Sequence, residues 1–306
     1  MKPKTTLPGH LAALLTITIW GITFINTKVL LNSFTPIEIM FFRLAFGVLA
    51  LTAVSPPRLS EFKLGRDFPR NEWKIMLAGL CGVTLYFIFQ NIALTYTLAA
   101  NVSVLVSVAP LFTALVSRAL LSEKLKTHFF LGFTAAIAGI ILIAFNGSVV
   151  LKLNPLGDLL CILAALVWAF YSVLVKQIST EQGSSLALTR KVVTYGLIFL
   201  LPLLPLFDFH LGLLRLTDLP SLLHLLFLGV GASALCYVTW NYAVHLLGPV
   251  KTSVYIYLVP LVTISASVLV LREPVTLVAG LGIALILLGM ALSEQNKKAS
   301  QQEPAS

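Results

Sequence analysis

Charged residues are scarce in this chain: Asp, Glu, Lys and Arg fill 33 of 306 positions, or 11%, where a soluble domain carries about a quarter. So few charges cannot form the outer shell of a soluble globule of this size, so lipid must cover most of the surface. Acidic residues are the rarest kind, twelve in all, and the middles of the apolar runs hold none. Asp67, Asp158, Asp208 and Asp218 are solitary and the five histidines are scattered, so no carboxylate cluster for Mg²⁺ and no His-rich metal site is present. That argues against a membrane-embedded enzyme such as a lipid or prenyl transferase; the chain reads as no enzyme and as needing no cofactor. The phosphate-gripping GxxxxGK[ST] is missing too, so nucleotide hydrolysis is not its energy source. Cysteine is limited to Cys81, Cys161 and Cys236, each inside an apolar run without CxxC spacing, and they read as small buried hydrophobes.

What is abundant is apolar, 58% of the chain. A bilayer-crossing helix needs about 20 mostly apolar residues, and such windows recur at 10–30, 36–55, 73–95, 99–120, 127–146, 156–177, 186–206, 219–243, 250–271 and 274–293. The start imitates a signal peptide, but Asn26, Lys28 and Asn32 stand where a small-residue cleavage site would be, so the first window is expected to be retained as a span. The longest polar stretch, Ser55 to Asn71, holds two adjacent prolines and reads as a loop. The net charge of +9 does not point to nucleic acid, because the Lys and Arg fall between apolar runs instead of forming a stripe or patch.

Their sidedness is informative. If the N-terminus lies inside, sixteen Lys and Arg fall in cytoplasmic segments and only Lys28, Lys152, Arg215 and Arg272 on the other side, with Arg43 inside the second span completing the 21. This bias predicts that both termini are cytoplasmic, which an even number of spans also requires.

The two halves resemble each other. Trp20-Gly21-Ile22-Thr23 and Lys28 reappear, shifted by 148, as Trp168-Ala169-Phe170-Tyr171 and Lys176. At a shift of 150 the matches run through Asn91/Asn241, Ala93/Ala243, Ser103/Ser253, Pro110/Pro260, Glu123/Glu273, Gly132/Gly282 and Gly139/Gly289. Each copy has five spans, an odd number, so the second must enter the membrane upside down. Inverted repeats suit alternating access, since the halves can exchange conformations. The expected fold is therefore an all-α integral membrane protein of ten transmembrane helices in two inverted five-helix repeats. The repeats are expected at 9–146 and 155–293, with a polar cytoplasmic tail at 294–306.

Several residues stand out as pathway candidates. Arg43 lies about a third of the way into its span, where a cation costs about 2.5–3.5 kcal/mol, so it should face the bundle or a wet cavity. Glu38, five positions away, is too far around the helix to pair with it; Arg43 could draw a carboxylate substrate or tie spans together. Trp20 and Trp168 sit mid-span rather than at an interface, each with a polar residue three positions on, Thr23 and Tyr171, on the same face. Opposite cavity walls and simple packing are both consistent with them. Tyr86, Gln90 and Asn91, then Tyr237, Trp240 and Asn241, put polar groups in hydrocarbon, where they must point inward to find partners; a binding role and interhelical hydrogen bonding both fit. Pro110 and Pro260 fall mid-span and predict paired kinks suited to a hinge. Glu123 and Glu273 close their spans as caps, loop ion pairs or gates. Tyr255 and Tyr257 are weaker candidates. For proton coupling only Glu38 and His224 are available, and both are shallow.

The Trp20 segment, Phe41-Phe42-Arg43-Leu44, Ala109-Pro110 leading to Ser122-Glu123-Lys124-Leu125, and their second-copy counterparts Val259-Pro260 and Arg272-Glu273-Pro274 with Gly280, Gly282 and Gly289 are similar to the ten-helix EamA-type members of the drug/metabolite transporter superfamily. The resemblance covers about residues 9–293 and implies a multi-pass protein of the bacterial cytoplasmic membrane, commonly an exporter of amino acids, related metabolites or toxic compounds. The reading is a secondary transporter acting by alternating access, with an uptake permease of the same superfamily as the alternative and a membrane enzyme behind it. Its partners are a small-molecule metabolite and membrane lipid, not nucleic acid; a homodimer stays open, as do substrate identity, direction and ion coupling.

Overall fold

The computed structural model describes residues 6–57, 72–96, 99–123, 127–144, 154–179, 185–207, 209–271 and 277–294. Among them every regular element is helical. Hydrocarbon requires this, because a helix satisfies its backbone hydrogen bonds without water. The first half holds α1 (Leu7–Leu30), α2 (Pro36–Val54), α3 (Glu72–Gly79), α4 (Tyr86–Tyr96), α5 (Ala99–Val106), α6 (Ala109–Leu121) and α7 (Thr127–Ala144). The second holds α8 (Pro155–Ser179), α9 (Ser185–Leu200), α10 (Leu219–Leu226), α11 (Cys236–Leu247), α12 (Pro249–Ser253), α13 (Val259–Leu271) and α14 (Leu277–Glu294).

Several of these join end to end into longer rods. A π-helical turn, Leu80–Leu85, makes α3 and α4 one span, Glu72–Tyr96, and another, Phe227–Leu235, makes α10 and α11 one span, Leu219–Leu247. α5 with α6 forms the fourth span, and α12, a 3₁₀ turn at Val254–Leu258 and α13 form the ninth. Seven helices among the described residues are long and apolar enough to cross a bilayer, and two shorter apolar ones lie in α7 and α14. Their outer faces are dressed for lipid: Leu49, Val54, Leu131, Leu159 and Leu281 each expose more than half their surface, which a water-soluble protein avoids on this scale. The chain is a multi-pass membrane protein. Among the described residues each of the ten expected windows falls on a helical rod, with ends moved by a few residues, as at Asn154, whose Oδ1 accepts from the Gly157 N–H at the start of α8 (3.1 Å). Glu273, most of the Ser55–Asn71 loop and the tail beyond Glu294 lie outside the described residues.

The paired prolines interrupt their spans. α5 ends at Val106 and α6 restarts at Ala109 with Pro110 in its first turn; the ninth span passes through its 3₁₀ turn and restarts at Val259 with Pro260 next. Proline donates no N–H and is tolerated only in a first turn, so each forces a new helix to begin.

Inversion is visible in the contacts. α7 and α14 run antiparallel: a Cβ on Gly139 would lie 2.5 Å from the Gly282 carbonyl oxygen, and one on Gly289 2.5 Å from that of Gly132. Gly282 and Gly289 are the counterparts of Gly132 and Gly139, so each glycine touches the counterpart of the other, the mark of a two-fold axis between halves. Small residues let helix backbones approach where lipid supplies no hydrophobic drive. The lysines repeat the pattern: Lys28 Nζ donates to the Leu94 carbonyl at the end of α4 (2.7 Å), and Lys176 Nζ donates to the His245 carbonyl near the end of α11 (2.9 Å).

Gly139→Val is expected to wedge α7 from α14 and to destabilise the detergent-solubilised protein by about 1–3 kcal/mol. Gly289→Val should do the same, because the contact is reciprocal. Thermal unfolding followed by size-exclusion chromatography measures both, and unchanged melting of the two variants would contradict the two-fold packing.

Candidate functional site

The axis between the halves passes through a knot of aromatic rings. Trp20 of α1 and its counterpart Trp168 of α8 meet with ring centroids 5.2 Å apart, and Trp240 of α11 packs on both at 5.2 and 5.7 Å. Tyr86 stands 5.0 Å from Trp168 on one side and Tyr237 5.9 Å on the other. Beside the knot lies a cavity of about 40 Å³, walled by Trp20, Thr23, Arg43, Tyr86, Gln90 and Trp168 together with Phe24, Phe87, Ser103, Ser107, Tyr237 and Ile256. A volume of that size holds about three waters, so in this conformation the site is collapsed around its own rings.

Arg43 is 1% exposed and reaches this cavity from α2. Its guanidinium stacks over the Phe87 ring, 3.9 Å from the centroid, and Nε donates to Ser233 Oγ at 3.0 Å. Stacking on an aromatic face and one short hydrogen bond fix the plane of the group. Among the described residues no carboxylate pairs with Arg43, and its two terminal nitrogens keep their hydrogen-bonding capacity. The sought-after partner of Arg43 is thus a ring and a hydroxyl. Its neighbour Glu38 is committed elsewhere. Glu38 closes a capping box with Thr35, binds Arg215 at 2.7 Å and accepts from the His210 N–H at 3.1 Å, and its carboxylate raises the Arg215 guanidinium above its ordinary range. His224 is held against Asn26. Both shallow candidates for proton coupling are thus engaged in ties between elements.

The two halves treat their central tryptophans differently. Trp20 Nε1 donates to the Ala232 carbonyl at 3.1 Å. The counterpart acceptor, the Gly82 carbonyl, is taken by the Tyr237 hydroxyl at 2.6 Å. Trp168 Nε1 is left buried with no partner, and an unsatisfied buried donor costs about 1–3 kcal/mol.

Of the expected pathway residues, seven line the cavity, Tyr237 among them, and Trp240 braces its aromatic wall. The other three turn away. Tyr171 donates to Asn241 Oδ1 at 2.5 Å and Asn241 Nδ2 donates to Thr189 at 2.8 Å, a buried chain behind the rings. Asn91 donates to the Pro36 carbonyl at 3.3 Å and faces a second cavity of about 230 Å³ beside Met40 and Phe207. That cavity shares Thr35 and Pro36 with a third, of about 540 Å³, which includes Lys28 and Arg215. Together they step from the Lys28 end toward Arg43. At the opposite end Glu72 binds Lys191 at 2.9 Å and Tyr195 at 2.8 Å, and α3 lies close against α9 around Gly79. Phe24, Phe87, Ser103, Ser107 and Ile256 were not anticipated. For Phe87 a signal existed, since at a shift of 150 it is the counterpart of Tyr237.

Known proteins resemble this chain in sequence and fold. The EamA-like transporter family matches residues 7–145 and again 155–294. An uncharacterized transporter of Archaeoglobus fulgidus is 29% identical over 297 residues, covering 96% of this chain and 98% of its own. A protein of Streptantibioticus cattleyicolor named "Probable terminal-alkyne amino-acid exporter" is 28% identical over 281 residues, 90% of this chain and 91% of its own. A solved crystal structure superposes with a TM-score of 0.76 over 95% of this chain and 98% of that one at 18% identity, which extends the likeness to the fold. With both halves matched and the fold shared, the chain belongs to the EamA-like transporter family.

Proposed function

We propose that this transporter is a secondary exporter of amino acids or related small metabolites, working by alternating access through the cavity between its halves. One observation carries the reading: a buried guanidinium with two uncommitted nitrogens faces a cavity walled by aromatic rings from both repeats. Such a site suits a small amphipathic metabolite whose carboxylate meets Arg43 and whose apolar body lies among the rings. The amino-acid exporter among the relatives is consistent with this substrate class. Reciprocal glycine and lysine contacts support an exchange of conformations, because what one half does at one face the other can do at the opposite face. With both termini cytoplasmic, as the positive-residue bias expects, the two outer cavities lie toward the non-cytoplasmic side and the Glu72–Lys191 end is the closed cytoplasmic gate. Pro110 and Pro260, where the fourth and ninth spans restart, are the proposed hinges.

Counterflow of labelled amino acids and their analogues in liposomes tests the reading. Saturable, protein-dependent exchange of at least one compound is expected, and its absence across the panel would remove the proposal. Growth of an overproducing strain under excess of the exchanged compound reports direction.

Trp168→Ala should lower exchange by about two- to tenfold, since a lost aromatic contact is worth about 0.5–1.5 kcal/mol, while membrane insertion stays intact. Normal exchange by correctly inserted protein would take Trp168 out of the site. Tyr171→Phe separates structure from transport: loss of its hydrogen bond to Asn241 should reduce thermal stability by about 0.6–1.7 kcal/mol and leave exchange near the wild-type level. A large loss of exchange at unchanged stability would place Tyr171 in the pathway instead.

A further inference from the structure

The cavity is one-sided in its chemistry. It offers a strong donor, the free edge of the Arg43 guanidinium, beside the wall residue Trp168, whose indole N–H is buried without a partner. In return it offers weak neutral acceptors, the Gln90 amide oxygen and hydroxyls, and no carboxylate or histidine is among the described residues lining it. A zwitterionic amino acid would satisfy Arg43 with its carboxylate and leave its ammonium without a counter-charge. A carboxylate lacking the ammonium fits both the donors and the rings.

From this imbalance we infer that the transporter carries an organic monocarboxylate anion with a flat apolar body, moving it as an uncompensated charge so that the membrane potential itself expels it. The inference rests on the transporter reading above and specifies its substrate class and driving force. Arg43 stays with the protein, stacked on Phe87 and held by Ser233, so each substrate that crosses transfers one negative charge. No proton carrier is needed, in keeping with twelve acidic residues that all lie outside the mid-span zones and with the structural engagement of Glu38 and His224. In a membrane negative inside, a single negative charge is driven outward. Export then follows from the sign of the substrate, with no coupling ion.

The test uses the full chain in liposomes loaded with labelled indole-3-acetate, indole-3-acetamide or tryptophan, the pH held equal on both sides and protein-free vesicles subtracted for leak. Valinomycin with a potassium gradient of about tenfold sets the potential, and an inside-negative potential should speed indole-3-acetate efflux between about two- and tenfold, with reversal slowing it. The wild type should prefer the acid over the amide by about ten- to hundredfold, as hydrogen bonds to a charged group allow. Arg43→Gln should bring that ratio toward one, and because it is a ratio it is independent of the amount of folded protein. Potential-independent efflux, or indole-3-acetate flux no faster than in protein-free vesicles, overturns the inference. If tryptophan moves and indole-3-acetate does not, the anion assignment falls and the transporter reading stands; if no compound of the wider exchange panel moves, both fall.

Discussion

Hydrocarbon supplies no hydrogen-bond partners, and this constraint orders the structure. A polar group placed in a span must find its complement on another span, or keep it for a ligand. In this chain many hydroxyls use a carbonyl of their own helix, and several complements at the centre of the bundle lie across the repeat. Trp20 is satisfied by Ala232, Tyr237 by Gly82, Thr84 by the Gly196 carbonyl and Arg43 Nε by Ser233. Each bond joins the first repeat to the second. The halves are thus held by polar links through the middle of the bundle, while the glycine faces of α7 and α14 bring the last helices of the two repeats together at close range.

The proposed functional region lies where this pairing is incomplete. Perfect two-fold symmetry would have given Trp168 the same carbonyl bond as Trp20. The Tyr237 hydroxyl occupies that acceptor, and the displaced indole N–H joins the Arg43 guanidinium as uncommitted donor capacity beside one cavity. In the proposed mechanism a symmetric scaffold supports interchange of the two ends, and a local asymmetry supplies a binding chemistry. The same division appears at the ends of the molecule, where Lys28 and Lys176 cap matching helix ends but Glu38 and Glu72 make unrelated ion pairs.

Much of the architecture was legible because its signals are repetitive: apolar windows of bilayer length, a constant offset between halves, and prolines at matching places. The candidate site was legible where a residue was conspicuous against an apolar background, as Trp20, Trp168, Arg43 and Gln90 are. Asn91 lines a different cavity from Gln90 for a geometric reason. It follows Gln90 by about 100° around the helix, so when Gln90 faces the cavity Asn91 must turn toward α2. Tyr171 shares a face with Trp168, but its hydroxyl reaches past the rings to Asn241. Phe24 and Ile256 were invisible, since an apolar side chain lining a cavity reads the same as one facing lipid, and Phe87 showed only as the repeat counterpart of Tyr237. The π turns left no signal beyond the glycines at 82, 229 and 231, and which of Ala232 and Gly82 would be claimed by which donor is settled only by three-dimensional packing.

The central claim is that one cavity between inverted halves is reached from either face in turn, and the most direct measurement is the reach of a thiol placed in it. With Cys81, Cys161 and Cys236 replaced and Thr23→Cys introduced, a membrane-impermeant maleimide would be applied to right-side-out and to inside-out vesicles. The account predicts labelling from both sides, slowed in each case by a transported compound. Labelling from one side only, or at the same rate with and without that compound, would contradict it.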